Sequence, residues 1–87
     1  MEKQLAILKA LAHPLRLEII YTLSKFESRC VCELEKLDEF TTQSSLSQHL
    51  KILRDIDLVV TRKLGGWVHY SLKDDSIIDI LENIKKL

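Results

Sequence analysis

Two cysteines one residue apart, Cys30 and Cys32 in "SRCVCELEKL", are the only thiols in the chain and its side chains best suited to chemistry. A thiolate is both a nucleophile and a soft metal ligand, and a helix start lowers a thiol's pKa. Three readings stay open: capture of a soft ion, a redox switch, or two inert side chains, one capping a helix and one buried. In a regular helix residues i and i+2 point to nearly opposite sides. The pair can therefore share one ion or one disulfide only if the helix start is unwound. No nucleophile–base set, phosphate loop or paired-carboxylate pocket is recognisable elsewhere, so the chain does not read as an enzyme.

The elements that must position these thiols belong to a short chain. Its 87 residues suffice for one domain, 1–87, and so small a core favours a partner, which makes a homodimer the expectation. A chain that is 46% hydrophobic and 30% charged, with only two Gly and one Pro, reads as mainly α. Two close cysteines are no disulfide framework, no secretory leader is visible, and no apolar run nears the roughly 20 residues of a membrane span. The expected compartment is the cytoplasm, with no membrane partner.

Leu5, Leu8, Leu11 and Ala12 line one side of a first helix, with Ile7 widening the stripe. His13-Pro14 breaks it, and proline suits the first turn of the next helix, "PLRLEIIYTLSKF", whose apolar surface comes from Leu15, Ile19, Tyr21, Leu23 and Phe26. Val31, Leu34 and Leu37 predict about two further turns, closed by Phe40. Thr42 stands where an N-cap is wanted, and Leu46, Leu50 and Leu53 share one face of the helix that follows. The result is a helix-turn-helix over about 31–56.

The period then changes, and two β-prone runs joined by Gly65-Gly66 predict a hairpin over about 58–72. Leu64 should face Trp67, Arg62 should face His69 and Thr61 should face Tyr70, which puts Val59, Thr61, Val68, Tyr70 and Leu72 on the core side. Asp74 or Asp75 can cap a terminal helix over about 75–87, with an apolar stripe of Ile77, Ile80, Leu81, Ile84 and Leu87. The expected fold is mainly α with a small β-hairpin: a winged helix-turn-helix of about five helices plus a two-stranded wing.

Such a fold directs attention to DNA. Thr42, Gln43, Ser44, Ser45, Ser47, Gln48 and Lys51 lie off the leucine face of the longer helix and are candidate contacts to bases and phosphates. His49 flanks the apolar row, so it is either a packed or capping residue or a further DNA contact. On the wing, Arg62 and Lys63 read as phosphate or minor-groove contacts, or as charges that keep an edge hairpin soluble. The net charge is zero, yet residues 27–41 are acidic and 42–67 basic, which is compatible with a binding face.

In this order, "LKALAHPLRLEII", "CVCEL", "QSSLSQHLKILRDIDLV" and "GGWVHYSL" closely resemble the ArsR family of bacterial and archaeal metal-responsive repressors, over residues 8–72. The resemblance implies a homodimeric repressor on a palindromic operator of double-stranded DNA, released by an inducer. It also implies that the first and last helices build the dimer, through Leu5, Leu8, Ile77, Ile80, Leu81 and Ile84. Cys30 and Cys32 match the stretch used by arsenite, cadmium and lead sensors, so arsenite or a soft divalent metal is the implied inducer, with no obligatory cofactor. The third cysteine of arsenic sensors is missing, and Glu33 and Glu35 occupy that neighbourhood. A zinc-type site on the terminal helix would need histidines where only Asp79 and Glu82 stand. A thiol redox switch, a regulator without a metal site, and a winged-helix protein-interaction module remain the alternatives.

Overall fold

A computed structural model describes residues Met1–Leu87 as five α-helices around a small antiparallel sheet. Helix α1 (Glu2–Leu11) buries Ala10 and Leu11 at its end but leaves Leu5 and Leu8 48% and 59% exposed. His13 is extended and its Nδ1 accepts the Leu15 N–H, so it caps α2 (Pro14–Lys25), with Pro14 in the first turn as its missing N–H allows. Leu15, Ile19, Ile20 and Leu23 of α2 form the centre of the core. Phe26 does not join them: it lies beyond the helix end, exposed, with the Arg29 guanidinium over its ring.

The next turns are tighter than a continuous helix. Helix α3 (Val31–Leu34) passes into a 3-10 turn over Glu35–Leu37, with Leu34 buried. Phe40 sits in the following turn at 87% exposure, so it does not close the element onto the core. Helix α4 (Gln43–Asp55) starts at Thr42, whose Oγ1 accepts the Ser45 N–H, and buries Leu46, Leu50 and Leu53. It ends in a Schellman arrangement: Leu58 N–H bonds the Leu53 carbonyl, Asp57 N–H bonds the Arg54 carbonyl, and Asp57 takes a φ of 62°.

Strands β2 (Val59–Leu64) and β3 (Trp67–Leu72) pair in the expected register, Leu64 to Trp67, Arg62 to His69 and Thr61 to Tyr70. Gly65 and Gly66 have φ of 58° and 85°, the left-handed values a two-residue hairpin turn requires. The sheet extends beyond this two-stranded wing. A third strand, β1 (Arg29–Cys30), pairs antiparallel with β3, placing Arg29 opposite Tyr70 and Cys30 opposite His69, in the order β1-β3-β2. Two residues are too short to show a period, and their partner is distant in sequence.

On the core side of the sheet, Val59 is buried and Tyr70 and Leu72 pack against the core, whereas Thr61 is exposed where the hairpin projects beyond the body. Asp74 Oδ1 accepts the Ser76 N–H and starts α5 (Ser76–Lys85). The stripe of α5 divides. Ile77 and Leu81 are in the protomer core, while Ile80 and Ile84 are each 50% exposed. Ile77 and Leu81 thus face the core of this chain and Ile80 and Ile84 face solvent, because the stripe is wide enough to serve both edges.

Candidate nucleic-acid interface and thiol pair

Helix α4 is held from below by its leucines and at its start by the turn before it. Asp38 organises that turn: its carboxylate accepts from the Thr41 hydroxyl at 2.7 Å and from the Phe40 N–H at 2.9 Å. Those bonds, Thr41's foremost, hold the Asp38 carboxyl below its ordinary pKa. With α4 fixed in this way, Thr42, Gln43, Ser44, Ser47, Gln48 and Lys51 are exposed on one polar surface and Ser45 is half-buried. Two of the candidate contacts already have partners. The Thr42 hydroxyl is the helix cap, and Lys51 Nζ is 2.6 Å from Asp55. Arg62 and Lys63 are exposed on β2 and, like Arg54, make no ion pair. At the wing tip Leu64 is 40% and Trp67 60% exposed, although they are cross-strand neighbours.

His49 is half-buried, on the side of α4 that faces α2. Its Nδ1 accepts from Arg16 Nε at 3.0 Å, and its ring centroid is 4.4 Å from that of His13. Burial first, then His13 and Arg16, lower its pKa. Neither partner was visible as such in the sequence. Arg16 lies 33 residues away, and no local period links a cation in one helix to an imidazole in another.

The thiols meet because Cys30 is outside the helix. Its backbone is extended (φ −71°, ψ 151°), it is the N-cap of α3, and its Sγ accepts the Cys32 N–H at 3.2 Å. The opposed directions expected of a regular helix therefore do not apply, and the two sulfurs are paired as a disulfide, with Cα atoms 5.4 Å apart. Cys30 is buried and Cys32 exposed. Glu33 completes a capping box by accepting the Cys30 N–H at 3.0 Å, and its other oxygen bonds Arg29. The Cys30 N–H, and after it Arg29, hold this carboxyl below its ordinary pKa. His69, opposite Cys30 on β3, carries the one buried side-chain polar atom without a hydrogen-bond partner, Nδ1. Cys30 is thus joined to α3 by its cap and to the wing by its strand pairing.

A short helix, a turn, a longer helix with an exposed polar start, and a Gly-tipped hairpin define a winged helix-turn-helix protein. Residues 13–61 match the family described as "Bacterial regulatory protein, arsR family", and the chain belongs to that family. It is 45% identical over 73 residues to the arsenical resistance operon repressor of Bacillus subtilis, covering 84% of this chain and 69% of that one. It is 37% identical to an uncharacterized HTH-type transcriptional regulator of Methanocaldococcus jannaschii, covering 99% of this chain and 96% of the other. Among solved structures, HlyU from Vibrio cholerae superposes with a TM-score of 0.84 at 36% identity, over 98% of this chain and 90% of that one.

Proposed function

We propose that this protein is a dimeric, sequence-specific transcriptional repressor that binds double-stranded DNA and is released by arsenite or a soft divalent metal at Cys30 and Cys32. The observation that carries the DNA reading is the exposed row Gln43, Ser44, Ser47 and Gln48 on a capped helix whose other face is locked into the core. Glutamine pairs bidentately with adenine and serine bonds bases or phosphates, so this row has the chemistry of a major-groove reader. Binding rather than catalysis is the activity proposed, and the repressor named in Bacillus subtilis supports the direction of control. The dimer reading is supported by the exposed Leu5 and Leu8 of α1 and Ile80 and Ile84 of α5. Lys3 and Ile7 of the one helix and Ile77 and Ile80 of the other line a common groove. A two-fold axis through them would place two copies of α4 on half-sites of a palindrome.

Two sulfurs brought together suit a soft ion once the pair is reduced, as the cytosol keeps thiols. No three His, Cys, Asp or Glu side chains are grouped to hold a metal, so further donors would come from an external thiol or a second subunit. The chain's own contribution to release is the double attachment of Cys30, to the cap of α3 and to strand β3 of the wing. A change of state at Cys30 would act on α3, the short helix that precedes the reading helix α4, and on the wing, and so supply the differential effect on two conformations that induction needs.

The test begins with the reduced, anaerobic protein and a duplex selected by it from a random-sequence pool. Saturable ultraviolet sulfur-to-metal bands with arsenite, cadmium or zinc, lost in both Cys30→Ser and Cys32→Ser, together with weakened duplex binding, are expected. No band with any ion would remove the inducer assignment, and failure to enrich any sequence would remove the DNA assignment. The disulfide favours one second reading, a redox switch. It requires duplex affinity to differ between the reduced and peroxide-oxidised protein.

A further inference from the structure

We propose that His49 is a positioning residue, and not a reader of DNA: in its neutral form it pins α4 to the joint between α1 and α2, and protonation withdraws the pin.

The pin is a chain of hydrogen bonds across three helices. Arg16 of α2 donates through Nη1 to the Ala10 carbonyl of α1 at 3.4 Å and through Nε to His49 Nδ1 of α4 at 3.0 Å. A guanidinium has donors only, so Nδ1 must carry a lone pair and the ring's proton must sit on Nε2. Protonation gives the ring two N–H groups and no acceptor, which turns the Arg16 bond into a contact between cations. His13, whose ring is 4.4 Å from that of His49, is likewise used as an acceptor, by the Leu15 N–H at 3.2 Å.

No carboxylate is among the groups that act on His49, Glu18 of the facing helix α2 included. Burial acts most strongly on the His49 proton, followed by His13 and Arg16. One turn away on α4 stand Ser45, Leu46, Ile52 and Leu53, none ionisable. Strand β2, which also packs on α4, carries Arg62 and Lys63, and neither of them acts on it. The pKa of His49 is lowered, so the docked state binds fewer protons than a released one. The contribution of the pin is fully present above the ordinary imidazole value and is lost as pH falls through the lowered one. A DNA-contacting imidazole would act in the opposite sense, because protonation would add a cation against phosphate and tighten binding.

The inference rests on α4 being the helix that reads DNA, so the test has one arm without DNA and one with it. In the reduced protein, NMR follows the His49 ring in wild type and Arg16→Met. Amide exchange along α4 is compared between about pH 7.5 and about pH 5.5, a window that brackets the imidazole value, in wild type and His49→Gln. His49 should titrate below the ordinary value and move upward in Arg16→Met. Protection of α4, corrected for intrinsic exchange, should fall several-fold on acidification in wild type but not in His49→Gln, whose amide oxygen still accepts from Arg16. An ordinary or raised His49 titration in wild type, or α4 protection indifferent to pH, overturns the proposal. If His49→Gln does not fold, the ring titrations of wild type and Arg16→Met decide. In the second arm, affinity for a selected duplex should weaken on acidification. A duplex affinity that rises on acidification and loses that rise in His49→Gln returns His49 to the DNA surface and overturns the pin. Absence of any sequence preference overturns the DNA reading alone, and the first arm still judges the pin.

Discussion

Cys30 has several attachments at once: it caps α3, pairs with His69 across the sheet, and carries one sulfur of the disulfide. These roles separate by substitution. Serine is a strong N-cap acceptor, so Cys30→Ser should keep the cap while removing the thiol, whereas Cys30→Ala should lose about 0.5–2 kcal/mol in urea unfolding of the reduced protein. Equal losses in the two variants would show that the sulfur does not cap. Glu33 adds a pH dependence. Its carboxyl is lowered by the Cys30 N–H first and then by Arg29, so its contribution is complete above the ordinary glutamate value and disappears as pH falls through the lowered one. Thermal melts of wild type and Glu33→Ala should therefore differ near neutrality and converge in acid; a gap that persists unchanged would assign Glu33 no ionised role.

At the scale of elements, the end of α4 depends on Asp57, which occupies the left-handed region that closes the Schellman motif. Aspartate tolerates that conformation and a β-branched residue does not. Asp57→Val should cost roughly 1–2 kcal/mol in denaturant unfolding, and Asp57→Asn much less. An undiminished midpoint for the valine variant would mean that the turn rearranges freely. Helix α5 has two edges that should answer differently. Leu81→Ala, in the core, should cost about 2–5 kcal/mol, while Ile80→Glu, on the exposed edge, should leave the protomer folded and reduce the mass seen by sedimentation. If Ile80→Glu remains dimeric, the dimer face lies elsewhere.

For the whole molecule, a formal net charge of zero conceals a division of charge. The four ion pairs leave Arg54, Arg62 and Lys63 free on α4 and the wing. Duplex affinity should therefore fall with salt, with a log–log slope set by a few phosphate contacts per protomer. Arg62→Ala with Lys63→Ala should make that slope shallower, and an unchanged slope would place the phosphate contacts away from the wing. The palindromic operator proposed above would take two copies of α4, so Ile80→Glu should also weaken duplex binding if the dimer forms through α5.

Local periodicity and turn chemistry were enough to read the five helices, the Pro14 and Thr42 starts, the Gly-Gly turn and the strand register from the sequence. Each is dictated by residues within a few positions of one another, and the exposed row of α4 follows from the same spacing. What passed unseen involved residues distant in the chain: the two-residue strand β1, the Arg16–His49 bond, the place of His69 opposite Cys30, and the division of α5 between core and solvent. The thiol geometry shows the difference most clearly. Spacing alone gave Cys30 and Cys32 opposed directions on the assumption of a helix, yet pairing with β3 draws Cys30 into an extended strand and brings the sulfurs together. The capping box of Cys30 and Glu33 is local and already favours an extended residue at the helix start, but the strand that holds Cys30 in the sheet is distant in sequence, and no local rule contains that partner.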